Sequence, residues 1–389
     1  HTVALFCPEL RELSAFHEFY RRELFPSDEE IEYEVAVRQV LNNCSHLARL
    51  GARVFSARGI LQTEDHVKLN LTHLQLEGTF GELDSAIRRF IQLSPKLEFL
   101  KLSEFFDCTD DCLYAAADHL PLLQTLSISK QGFVTDAGVA AVRDACSRMC
   151  NLKFEHCEEM QYLCLSHGPA GVLEYLHIHD VRITDYALVL CAQHNFRLRV
   201  LKITLYNWSG IVSWFAPDTL SEVVQYLPLL EEFSFYASHN TQEFCNDGTL
   251  HALASYCPRL RVLKLPPYLT ITAAGLAQLG SLHALEDIQL MWCLGLNNSV
   301  LCAIAKGCPK LSQINMIGCK LVCSAGIYAL GKYCRRLQKV RAHRCGWIRD
   351  YALWKVIKHA SDLEILDVDD VYMRSALLKA RLGRLKTVY

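Results

Sequence analysis

The chain has 389 residues, 51% of them hydrophobic, with 40 basic and 42 acidic side chains and a formal net charge of −2. That balance supports a continuous core and argues against a dedicated nucleic-acid binder, which normally carries a strong basic excess. The sequence holds no apolar run long enough to span a bilayer, and His1 does not open a basic-then-apolar leader.

In chain order, the first predicted element is the end of a repeat already under way at Cys7-Pro8-Glu9-Leu10. A charged, helical-looking segment follows over 17–40 (Glu18, Arg21, Arg22, Glu23, Asp28, Glu29, Glu30). Apolar anchors of an LxxLxL pattern then recur at Leu47, Leu97, Leu123, Leu173, Leu198 and Leu230, with weaker copies near Leu71 and Leu152. From Leu260 the anchors fall into strict register at Leu285, Leu311, Leu337 and Leu363, a period of 25 to 26 residues. Each LxxLxL stretch predicts a short strand, because its last two apolar residues alternate with polar ones. Leu290, Ile314 and Val340 are accordingly expected to stack as buried strand residues.

The second half of each unit predicts a helix. Leu301, Ile304 and Cys308 make one apolar stripe, repeated by Ile327, Leu330 and Cys334 and again by Leu353, Val356 and Ala360. Asp110, Asp136, Asp185, Asn298, Ser324 and Asp350 stand where N-caps are expected. A unit of this size cannot bury its own apolar face, so neighbours must stack. The fold class expected is α/β: a leucine-rich-repeat solenoid, a horseshoe with a parallel concave sheet and outer helices. It would be a single domain over 1–389, with about 13 to 15 repeats of roughly 26 residues and insertions near 17–40, 52–68, 204–225 and 236–249.

Eighteen cysteines admit disulfides, zinc or a small buried side chain used repeatedly. Cys293, Cys319 and Cys345 are 26 residues apart, as are Cys308 and Cys334, so each fills a fixed slot of the repeat. This register favours reduced, buried thiols and a cytoplasmic or nuclear setting. The pairs Cys108/Cys112, Cys146/Cys150 and Cys319/Cys323 lack a second pair in zinc-finger register.

The pattern C-P-x-L-x-x-L-x-L-x-x-C, followed by helix starts such as Val134-Thr135-Asp136-Ala137-Gly138-Val139 and Ile183-Thr184-Asp185-Tyr186-Ala187-Leu188, resembles the cysteine-containing leucine-rich repeats. Such repeats are typical of the F-box/LRR family, the substrate receptors of SCF-type ubiquitin ligases. The resemblance implies a target protein on the concave face, and a Skp/cullin adaptor only if an F-box lies upstream of His1. No F-box is visible in this sequence. A structural or assembly subunit of a large complex is the other reading.

No GxSxG, HExxH or Gly-rich phosphate loop is present, so catalytic residues, cofactors and metals are not expected. His177 and His179 flank Ile178 on one strand; such a pair suits a metal only with a third ligand, and none is evident. Alternation assigns the concave face Tyr175, His177, His179, Lys202, Tyr236, Gln289, Met291, Asn315, Lys339, Arg341, His343, Asp367 and Asp369. Near the C-terminal end, cross-strand pairing of Lys339, Arg341, His343 and Arg344 with Asp367, Asp369 and Asp370 competes with a docking role. The interval from Leu198 to Leu230 is six residues longer than the 26 that is standard, and holds Tyr206, Trp208, Trp214 and Phe215. Aromatic residues in such a loop suit a partner site as well as a cover over the core.

Overall fold

The computed structural model describes residues 9–15, 28–54, 69–78, 83–130, 132–157, 159–180, 183–205, 216–237, 244–267 and 271–369. The chain forms two compact units, His1–Asn195 and Phe196–Tyr389. In the first, β1 (Glu12–Ala15), β2 (Arg49–Arg53), β3 (His73–Glu77), β4 (Phe99–Ser103), β5 (Thr125–Ser129), β6 (Asn151–Glu155) and β7 (Tyr175–His179) pair in parallel, each with its neighbour in sequence. In the second, β8 (Val200–Leu205), β9 (Glu232–Ala237), β10 (Val262–Lys264), β11 (Asp287–Gln289), β12 (Gln313–Asn315), β13 (Lys339–Arg341) and β14 (Ile365–Asp367) do the same. Each unit is a leucine-rich-repeat stack with a parallel sheet.

The strands alternate as the pattern requires. Leu100, Leu126, Leu152 and Leu176 are fully buried in the first unit, as are Leu263, Ile288, Ile314 and Val340, all within 1% exposure, in the second. Most of the intervening residues are half-exposed, with the small Gly51, Ser103, Ser127 and Ser129 buried. The helices cover the buried row with their apolar stripes, for example Leu301 and Ile304 of Asn298–Gly307 and Ile327 and Leu330 of Ser324–Tyr333. The segment 17–40 runs into a helix, Asp28–Asn43, with its earlier part outside the described residues.

Three expectations need correction. Leu152 pairs in register with Leu126 and Leu176, so it is an inner strand residue; the anchor slot two positions before the strand belongs to buried Met149. Leu290 is buried but lies one residue past β11, and the residue that pairs with Ile314 is Ile288. The third concerns the caps. Of the residues expected there, only Asp110 occupies a cap position, and its side chain makes no cap bond. Asp136, Asp185, Asn298, Ser324 and Asp350 each open their helix from inside, while Thr135, Thr184 and Asn297 cap three of them.

Most of these polar side chains instead reach the next repeat. Asp110 accepts the backbone N–H of Thr135 at 2.8 Å and the Thr135 hydroxyl at 2.6 Å. Asp247 treats Thr272 in the same way, at 2.8 and 2.6 Å. Asn298 accepts the N–H of Cys323 at 2.9 Å and of Gly326 at 3.0 Å, and Ser324 accepts the N–H of Arg349 at 2.8 Å. Asp136 accepts from Gln161, Tyr162 and Cys164, at 2.6, 3.1 and 2.9 Å. The cap motif of one helix is thus a strut for the following turn, which satisfies otherwise orphaned backbone donors.

The cysteines have a comparable double use. Among the described residues none of the seventeen cysteines forms a disulfide, and all but Cys150, Cys302 and Cys323 are buried. Their thiols donate to carbonyls of the preceding repeat: Cys319 to Leu290 at 3.0 Å, Cys345 to Met316 at 3.1 Å and Cys308 to Leu279 at 3.3 Å. A small apolar body with a weak donor fits that slot better than alanine or serine. Burial pushes the thiols of Cys308, Cys319, Cys334 and Cys345 up to about 12, so they stay protonated. Among the described residues no helix is long and apolar enough to cross a membrane.

Candidate protein-docking face

One backbone position positions much of the polar surface. In four repeats of the first unit the residue seven places after the anchor leaves the strand in the left-handed region: Glu104 (φ 62°), Lys130 (53°), His156 (52°) and Asp180 (51°). In the second unit the same position holds Trp292 (56°), Gly318 (77°) and Arg344 (56°). The N–H of Glu104 donates to the carbonyl of Ser129, that of Lys130 to Glu155 and that of His156 to His179. The side chains of one column are therefore brought beside one another, one repeat apart.

In the first unit that column is ionic. Lys130 Nζ lies 2.7 Å from Glu104 Oε1, and this hydrogen bond, helped by nearby carboxylates, raises the lysine pKa against the effect of burial. Arg53 reaches Glu77 at 3.1 Å and Glu104 at 3.8 Å. His156 Nδ1 lies 2.7 Å from Asp180 Oδ2. His179 Nδ1 is 3.5 Å from Glu155 Oε1, while Lys153 Nζ is 3.3 Å from Glu155 Oε2. The rings of His156 and His179 meet edge to face at 5.4 Å. Burial lowers the His179 pKa, with the charges of His156 and Lys153 adding to it against Glu155 and Asp180. For Glu155 burial acts upward, but Lys153 and the two histidines outweigh it and hold the carboxyl low.

The second unit carries its charge on the strands themselves. Lys202 pairs with Glu232 at 3.0 Å, and the Ser234 hydroxyl donates to the same carboxylate at 3.2 Å. Burial raises Asp287, with Glu232 adding and Lys264 and Lys339 opposing. His343 Nδ1 lies 3.0 Å from Asp369 Oδ1, whose other oxygen accepts the Arg344 N–H at 2.8 Å. The expected cross-strand pairing is thus present for His343. The Arg344 guanidinium sits 6.0 Å from the Trp292 ring, a cation–π arrangement.

Of the residues expected on this face, Tyr175, His177 and His179 project from β7, Lys202 from β8, Tyr236 from β9, Gln289 from β11, Asn315 from β12, Lys339 and Arg341 from β13 and Asp367 from β14. Met291, His343 and Asp369 lie two residues beyond their strands. Tyr206, Trp208, Trp214 and Phe215 lie outside the described residues. The alternation rule missed Glu155, His156, Asp180 and Trp292. Glu155, His156 and His179 each offer a ligand atom, all within 4.8 Å of one another, so His179 has partners on the adjoining repeat rather than in His177 alone. The position before the post-strand cysteine was the available signal, but only Gly318 there announces a left-handed backbone.

No family model matches the chain. Over 252 residues, 60% of the chain, it is 28% identical to an F-box/LRR-repeat MAX2 homolog from Oryza sativa subsp. japonica, covering 32% of that protein. It is 28% identical over 265 residues, 62% of the chain, to F-box protein MAX2 homolog A from Petunia hybrida, covering 35% of that protein. The chain spans about a third of the length of these curated relatives. Over 94 residues, 23% of the chain, it is 33% identical to F-box/LRR-repeat protein 4 from Bos taurus, covering 15% of that protein. In fold it is similar to an internalin from Listeria monocytogenes, with TM-score 0.57 and 17% identity over 94% of this chain and 95% of that one. A crystal structure of the Rad7 and Elc1 complex in yeast matches with TM-score 0.50 and 16% identity, over 78% of this chain and 83% of that one. Its repeat geometry makes the chain a leucine-rich-repeat protein, and the curated proteins it is similar to are F-box/LRR-repeat proteins.

Proposed function

We propose that the chain is a non-catalytic, protein-binding solenoid that serves as the substrate-recognition part of an SCF-type ubiquitin ligase in cytoplasm or nucleus. The observation that carries this reading is the division of labour along each repeat. One strand row is sealed in the core, whereas the other presents half-exposed tyrosines, histidines, lysines, arginines and carboxylates. Such a rigid face of mixed charge suits a folded protein or peptide better than nucleic acid. The likeness to F-box/LRR proteins supplies the ligase context, and a Skp-type adaptor would bind through an F-box preceding this region. The fold likeness to a chain of the yeast Rad7 and Elc1 complex fits a subunit that works within a complex.

The test is photo-crosslinking in cells from a benzoylphenylalanine placed at Gln289, on the strand face, with Lys306 on a helix as the control. The expected result is a protein trapped from Gln289 and not from Lys306, whose level rises when the chain is depleted. A trapped protein whose level does not change favours the assembly-subunit reading.

A further inference from the structure

We propose that Glu155, His156 and His179 form a binding site for a divalent transition-metal ion of the zinc type. The proposal is independent of the ligase reading and rests on what adjacent repeats bring together. Glu155 closes β6, His156 follows it in the left-handed conformation, and His179 closes β7 beside them. Their three ligand atoms lie within 4.8 Å of one another. Two nitrogen or oxygen atoms on one tetrahedral zinc ion are about 3.4 Å apart, from bond lengths of about 2.1 Å. Side-chain rotations that bring the ligand atoms about 1.5 Å closer therefore close the site.

The surroundings match what such ligands need. Asp180 Oδ2 lies 2.7 Å from His156 Nδ1, which places a proton on that nitrogen and leaves the Nε2 lone pair for the ion. A carboxylate behind a ligating histidine is the usual means of fixing its tautomer. Lys153 holds Glu155 through Oε2, leaving Oε1 as the oxygen turned toward His179. Two imidazoles and one carboxylate favour zinc, cobalt, nickel or copper over calcium or magnesium. All three side chains are half-exposed, so an ion can enter from solvent and keep an open coordination position on the docking face.

The experiment is a titration of the metal-free chain with Co2+ alone, followed by its visible absorption, and with Zn2+ alone by calorimetry. One ion per chain is expected, with a nitrogen/oxygen spectrum that lacks a sulfur-to-cobalt charge-transfer band. Glu155→Gln, His156→Asn and His179→Ala should each weaken binding at least a hundredfold. Asp180→Asn should weaken it about tenfold, and His177→Ala should leave it unchanged. His156→Asn retains a residue that tolerates left-handed φ, and Glu155→Gln keeps the shape of the side chain, so loss of the ion is separable from loss of the fold by circular dichroism. Failure to bind an ion at millimolar metal overturns the proposal. So does unaltered binding in His156→Asn and His179→Ala, or a spectrum showing thiolate ligation.

Discussion

At the seventh position after the anchor, the first unit places Glu104, Lys130, His156 and Asp180, and the second places Trp292, Gly318 and Arg344. The backbone demand is the same: φ between 51° and 77°. The chemistry is not. In the first unit the column pairs Glu104 with Lys130 and His156 with Asp180, each at 2.7 Å. In the second, Trp292 lies against the space that Gly318 leaves open, and Arg344 approaches the ring. The difference teaches that the repeat fixes where this column stands while the side chains are free to vary. Six of these seven residues accept a left-handed strain of about 1–2 kcal/mol each that glycine would avoid. Their side chains offset it by contacts along the column.

The largest effect should come from what the units share. Ile314→Ala in β12 and Leu152→Ala in β6 remove the same inward row, and each is expected to cost about 2–5 kcal/mol in chemical denaturation. A loss under about 1 kcal/mol at either site would separate the two cores and put that strand's register in error.

The column itself supplies a sharper contrast. A Cβ at Gly318 would run into the Trp292 ring, at a φ of 77°. Gly318→Ala should therefore cost about 2–4 kcal/mol, from left-handed strain together with overpacking. Lys130→Gly at the equivalent place should change stability by less than about 1 kcal/mol, because relief of strain offsets a half-exposed ion pair. Similar losses at both sites would mean that the two columns are not alternatives at one position.

A smaller effect distinguishes the struts. The first unit uses Asp136 to receive three backbone donors; the second uses the Asn298 amide for two. Asp136→Ala should cost about 2 kcal/mol, and Asp136→Asn about half of that. If Asp136→Ala melts like the parent, the inter-repeat strut contributes nothing.

Much of this was legible in the sequence where the period is strict. From Leu260 onward, anchors and helix stripes fall at their expected places, because each slot is filled by a side chain of the expected size; Leu290, expected in a strand, lies just past β11. Leu152 misled because Met149 fills the anchor slot beside it, and methionine packs there as well as leucine. The strut role of Asp136 and Asn298 was hidden because their acceptors serve a turn 25 or more residues away, whereas a cap is a local pattern. The Glu155–His156–His179 cluster was missed for a related reason. Its members come from two repeats, and a left-handed turn carries His156 beside them.

The central claim is that the strand face binds and the helices support it. The direct measurement is the affinity of the partner trapped from Gln289 for Tyr175→Ala, Arg341→Ala and Lys306→Glu chains. Tyr175 and Arg341 take one face residue from each unit, and Lys306 lies exposed on a helix. The account predicts that each face variant weakens binding tenfold or more, about 1.4 kcal/mol, with thermal unfolding unchanged, while Lys306→Glu binds as the parent does. Loss of binding in Lys306→Glu, with both face variants binding normally, would contradict it and move the docking site to the helices.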